Sequence, residues 1–107
     1  MKEQKSSNQQ LSQAALDVLA ERRRQIEVEG WTPEHDAEHC HAELATAAAC
    51  YILGATSGFS SEEYAGDVPT AWPWDPKWWK PKDYRRDLVR AAALLIAEIE
   101  RSDRDDL

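Results

Sequence analysis

The chain has 107 residues, with 13 Lys and Arg against 20 Asp and Glu, for a net charge of −7. That length holds one domain with a modest core. The charge argues against nonspecific binding to a nucleic-acid backbone and against docking on an anionic membrane, both of which need a basic surface. Hydrophobic residues make up 42% of the chain, yet no apolar run approaches the roughly 18 to 20 residues of a membrane span.

Residues 1–8 are polar, read as a disordered tail, and carry no signal-peptide core. From residue 9 the pattern turns helical: Leu11, Ala15, Val18, Leu19 and Ile26 recur at steps of three and four. Gly30 suits the position just past a helix end, so a first helix is expected over about 9–29. Thr32 and Pro33 then read as an N-cap and a first-turn proline. A second, alanine-rich helix is expected over about 33–55, whose small side chains let a neighbour come close.

The two cysteines, Cys40 and Cys50, fall ten residues apart in that second helix. At a rise of roughly 1.5 Å per residue they stand about 15 Å apart, too far to bridge. A reduced, cytoplasmic, soluble protein is the expectation.

Residues 56–81 form a long connection holding four of the five tryptophans and four of the five prolines. A loop of this length in a small domain usually has a task or is disordered, and its tryptophans argue against disorder. A third helix is expected over about 82–102, with Leu88, Ala92, Leu95, Ile96 and Ile99 as its buried stripe. No segment reads as a β-strand. The predicted fold is all-α: a small bundle of three main helices, with the Trp/Pro-rich loop packed across it. The short chain and the alanine-rich helix also suggest a homo-oligomer.

Four constellations are candidates for chemistry. The sharpest is the loop itself, where Trp74, Trp78 and Trp79 stand beside Lys77, Lys80, Lys82, Arg85 and Arg86. Aromatic faces next to cations suit a flat base carrying phosphates, and the start of the third helix offers free N–H groups to an anion. The competing reading is that these rings cover a thin core. The second is Arg22, which the helical stripe turns toward the core. A buried arginine needs a carboxylate or a phosphate, with Glu43 and Asp87 as structural partners or a ligand phosphate as the functional one.

The third is His35, His39, Cys40, His41 and Glu43. His35 and His39 are one turn apart, a metal-binding spacing, but the pattern is not HExxH and Cys40 points to another face. Helix-end hydrogen bonding or ligand contact fits these histidines better than a metal site. The fourth is a set of helical carboxylates, Glu21, Glu38, Glu43, Asp83 and Asp87, from which a Mg²⁺ site for pyrophosphate chemistry would be drawn. In a chain this acidic, such carboxylates are mostly solvated surface. No Walker loop, Rossmann glycine pattern or nucleophile motif is present.

The segment 21–36, ending Glu29-Gly30-Trp31-Thr32-Pro33-Glu34-His35-Asp36, resembles a family of small proteins encoded in tailed-phage and prophage genomes. Further blocks carry the same resemblance: Glu43-Leu44-Ala45, Trp72-Pro73-Trp74, Trp78-Trp79-Lys80-Pro81-Lys82, and the run from Arg86-Asp87-Leu88 to Glu98-Ile99-Glu100-Arg101. Together they span about residues 16–102. The resemblance implies a phage accessory protein made in the bacterial cytoplasm and transfers no catalytic residue.

A second likeness is to the all-α nucleotide pyrophosphohydrolases of the MazG type, which hold Mg²⁺ between an ExxE helix and an ExxD helix. Here Glu38 and Glu43 are five apart and Asp83 and Asp87 four apart, so the metal pattern is absent or degraded.

Three functions follow as expectations. The first is a counter-defence protein that sequesters a nucleotide-derived host signal, of cyclic-nucleotide or cyclic ADP-ribose type, without catalysis. Its ligand residues would be Trp74, Trp78, Trp79, Lys80, Arg85 and Arg86, with Arg22 or His39 from the facing helices. The second is an inhibitor that binds a host protein through the Trp/Lys surface. The third is a Mg²⁺-dependent pyrophosphohydrolase using Glu38, Glu43 and Asp87.

Overall fold

The computed structural model describes residues 10–30, 42–56, 64–65 and 68–105. Among them are three α-helices: α1 (Gln13–Glu27), α2 (Glu43–Ala55) and α3 (Tyr84–Asp105). A short antiparallel pair, β1 (Tyr64–Ala65) with β2 (Val68–Pro69), and a 3₁₀ turn at Pro76–Trp78 occupy the connection before α3. The β pair was not anticipated; two residues per strand are too few for alternation to register in sequence.

Local chemistry sets the helix ends. Ser12 caps α1, its hydroxyl accepting from Ala15 N–H at 3.0 Å, which starts the helix four residues later than the periodicity suggests. At the other end the Val28 N–H closes on Arg24 O at 2.8 Å, and Gly30 takes the left-handed region at φ 77°, as expected of a residue past a helix end. α2 begins at Glu43 because Ala42 before it takes the left-handed region at φ 63°, a conformation that a continuing α-helix cannot contain, so the helix expected over about 33–55 is corrected to 43–55 at this point. Thr32 and Pro33, with Glu38, His35, His39, Cys40 and His41, lie outside the described residues.

Packing is organised around α3, against which α1 and α2 both lie. The core joins Leu44, Ala47, Ala48, Cys50 and Tyr51 of α2 to Ala91, Leu94 and Ala97 of α3, with Trp72 of the loop added. Alanines on both sides of this contact, Ala47 and Ala48 against Ala91 and Ala97, present little bulk to the facing helix. Cys50 is a free, buried thiol, and burial raises its pKa.

The expected buried stripe of α3 is corrected here. Leu95 and Ile99 are 40% and 58% exposed, while Val89, Ala91, Ala93, Leu94 and Ala97 are the buried ones. The helix is apolar on more than one face, and periodicity alone chose the face with the larger side chains. No helix among the described residues is long and apolar enough to cross a membrane.

Candidate functional site

The loop closes on the core through stacked rings. Trp79 stacks on Tyr51 with centroids 4.7 Å apart and planes 26° apart. Trp72 meets Tyr51, Trp74 and Trp79 edge-on at 5.6, 5.3 and 5.0 Å. Offset and edge-to-face contacts of this kind add about 0.5–1.5 kcal/mol each beyond the area they bury. Polar tips are tied down as well: the Trp72 indole N–H donates to Asp75 O at 3.2 Å, and the Tyr51 hydroxyl accepts from Lys80 N–H at 3.3 Å. Burial in this cluster raises the Tyr51 pKa.

The 3₁₀ turn then carries one ring outward. Asp75 caps it, accepting from Lys77 N–H at 2.9 Å, with Pro76 preset in the first position. Trp78 at its end is 38% exposed. The Lys77 and Lys80 ammonium groups sit 5.4 and 5.5 Å from its ring centroid, within cation–π range. Of the tryptophans proposed from sequence as ligand residues, Trp78 is the one presented to solvent; Trp74 and Trp79 pack against the core.

The arginines have carboxylate partners inside the chain. Arg85 pairs with Asp17 at 2.9 Å and Arg22 with Glu100 at 3.1 Å. Glu100 is a partner that the sequence reading did not name. Arg86 reaches the buried carboxylate of Glu21, which Arg24 also grips through two bonds of 2.8 Å. Burial pushes the Glu21 pKa up, and Arg24 and Arg86 more than offset it, so the carboxyl is held below its ordinary value.

Asp87 caps rather than pairs: it accepts from Lys82 N–H at 2.8 Å, while Asp83 accepts from Arg86 N–H at 2.8 Å. That bond takes one of the N–H groups expected to be open to an anion at the start of α3. Glu43 lies in the first turn of α2. Among the described residues no group of three or more His, Cys, Asp or Glu is placed to hold a metal ion.

Beside Trp78 lies a cleft of about 20 Å³ lined by Arg24, Gln25, Glu29, Tyr51, Lys80, Arg90 and Leu94. Arg90 anchors its floor, donating to Lys80 O and lying 5.8 Å from the Tyr51 ring centroid. Gln25 and Arg90 are 1% and 9% exposed, and Gln25 Oε1 and Arg90 Nε have no hydrogen-bond partner. One is an acceptor and the other a donor, and the volume suits a single water or hydroxyl.

Neither Gln25 nor Arg90 was singled out from sequence. For Arg90 the available signal was a charged residue between the apolar Val89 and Ala91; Gln25 lies among the charged residues of α1 and carried none. Trp78 and Lys80 are therefore brought to one edge, while Arg22, Arg85 and Arg86 are held in ion pairs elsewhere.

No protein family, curated protein or solved structure matches the chain.

Proposed function

We propose that the chain is a non-catalytic binding protein that sequesters a nucleotide-derived host signal at the Trp78 edge, serving a phage against its bacterial host. The observation that carries this reading is the exposed Trp78 ring bracketed by Lys77 and Lys80. A nucleobase stacks on the indole face, and the two flexible ammonium groups swing to the phosphates. The adjacent cleft, lined by Gln25, Lys80 and Arg90, has room for one hydroxyl of such a ligand. The phage context rests on the motif resemblance alone.

Catalysis is the weaker reading because three of the candidate carboxylates, Glu21, Asp83 and Asp87, have structural work. Glu21 accepts from two arginines, and Asp83 and Asp87 hold the start of α3.

The experiment is retention. The protein is incubated with Mg²⁺ and a panel of nucleotides, cyclic nucleotides and cyclic ADP-ribose isomers, washed, heat-denatured, and the released compound identified by mass spectrometry. Release of an intact compound from the native protein, lost in Trp78→Ala and in Lys77→Ala/Lys80→Ala, is the expected result. Retention unchanged in both variants removes the site, and a cleaved product replaces binding with hydrolysis.

A second reading has its own observation. The cleft of about 20 Å³ seats a hydroxyl, whereas pockets that enclose a whole small ligand run to roughly 300 Å³ or more. A shallow surface with one exposed tryptophan among lysines also fits a hot spot for an acidic host protein. Stoichiometric recovery of one host protein, lost in Trp78→Ala, with no compound retained, selects that reading.

A further inference from the structure

We propose that α3 pairs with α3 of a second copy, antiparallel, through the face formed by Leu88, Ala92, Leu95 and Ile99. This inference is independent of the ligand at Trp78. The four residues follow a 4-3-4 spacing, the spacing of a coiled-coil seam. Leu88 and Ala92 are half-buried, while Leu95 and Ile99 are 40% and 58% exposed. The seam lies apart from the helix's inner face, where Ala91, Leu94 and Ala97 contact α2 and Trp72. A domain this small buries a limited share of its apolar surface by itself.

The pattern selects both the occupant and its direction. The seam is symmetric about the point midway between Ala92 and Leu95. An antiparallel copy therefore sets Leu88 against Ile99 of the second copy, and Ala92 against its Leu95. Each leucine knob meets the space an alanine leaves, which lets the helices close.

Charge agrees. Arg85 falls on the same seam one turn before Leu88, and its side chain is 59% exposed even while it pairs with Asp17. In the antiparallel register it reaches the level of Ser102 and the exposed Asp103 of the second copy. A parallel pairing sets Arg85 against Arg85 and aligns the two helix dipoles unfavourably. The interface is isologous, so every contact is made twice.

The test is sedimentation equilibrium on the full chain, with far-UV circular dichroism to confirm the fold. Wild type is expected to sediment at about twice its 12.2 kDa. Leu95→Glu and Ile99→Glu alter exposed positions and leave Leu94 and Ala97 in place. Each is expected to weaken association by about tenfold or more, or about 1.4 kcal/mol, with helicity unchanged.

Arg85→Glu is expected to weaken the dimer, and Arg85→Glu/Asp103→Arg to restore it. Loss of the Asp17 pair alone would not be repaired by the second change. A monomeric wild type at micromolar concentration overturns the proposal, as does a dimer indifferent to Leu95→Glu. A dimer broken by Leu95→Glu but not rescued by the charge exchange overturns the antiparallel register.

Discussion

Arg86 of α3 meets Glu21 of α1 at a carboxylate whose side chain is fully buried. The same carboxylate holds Arg24 and accepts from Gln25 Nε2 at 3.2 Å. The α1–α3 contact is thus built largely on charge: α1 buries Glu21, Arg22 and Gln25 while Leu16 and Leu19 stay exposed. Glu21 and Glu29 together balance Arg24 and Arg86, which is what burial of charge requires.

Removing that charge has a bounded cost. Glu21→Gln keeps the size of the side chain but leaves Arg24 and Arg86 short of a counter-ion. A fully buried broken pair costs roughly 3–5 kcal/mol. Here both arginine side chains are 33% exposed, and Arg24 retains Glu29 at 2.7 Å, so water and Glu29 recover part of the loss. The expected destabilisation is about 1–3 kcal/mol, read as a lower urea midpoint at unchanged slope. A variant as stable as wild type refutes the counter-ion role.

The same carboxylate sets an acid response. Its folded pKa lies below the ordinary glutamate value of 4.5, so the unfolded chain takes up the proton first. The stability it contributes is complete above that value and is lost as pH falls through the lower folded value. Urea midpoints of wild type should therefore drop below about pH 4.5, and Glu21→Gln should drop less steeply by up to about 1.4 kcal/mol per pH unit. Asp17, depressed by its hydrogen bonds with Gln13 and Arg85, acts in the same direction and keeps a residual slope in the variant. Parallel slopes in the two proteins would remove Glu21 as a titrating group.

Asp83 and Asp87 should behave as caps. Asp83→Ala deletes the acceptor for Arg86 N–H and is expected to cost about 1 kcal/mol. Asp87 is buried, so Asp87→Ala strands the Lys82 N–H it serves, at about 1–3 kcal/mol. Asp87→Asn keeps an acceptor oxygen and should recover most of that loss. Thermal melts with and without Mg²⁺ separate capping from metal binding. A midpoint raised by Mg²⁺ in wild type and not in Asp87→Asn would return Asp87 to the pyrophosphohydrolase reading.

Much of the architecture was legible because its signals are local. Gly30 needs only its own backbone freedom, the alanines of α2 announce close packing, and tryptophans spaced by prolines announce an ordered loop. What was not legible depends on how the helices cross. On α3 the larger side chains Leu95 and Ile99 outweigh Ala91 and Ala97 in any periodicity count, yet the alanines, with Leu94 between them, are the residues that face the core. Arg22 finds Glu100, far along the chain, through the α1–α3 crossing, and no spacing rule within one helix encodes that. Trp78 and Trp79 are neighbours in sequence, and only the 3₁₀ turn at Pro76–Trp78 decides that one faces outward and the other stacks on Tyr51.

That divergence between adjacent tryptophans gives a paired prediction. Trp79→Ala removes a ring stacked on Tyr51 and packed on Trp72. Truncation of a large aromatic in such a setting costs roughly 3–5 kcal/mol, so the variant should unfold at a much lower urea midpoint and lose near-ultraviolet dichroism from the ring cluster. Trp78→Ala removes an exposed ring beside the Lys77 and Lys80 ammonium groups, and surface substitutions usually stay within about 0.5 kcal/mol. Its midpoint should match wild type, while ligand or partner binding is lost. Equal destabilisation by the two variants would place Trp78 in the core and remove the exposed edge on which the proposed binding rests.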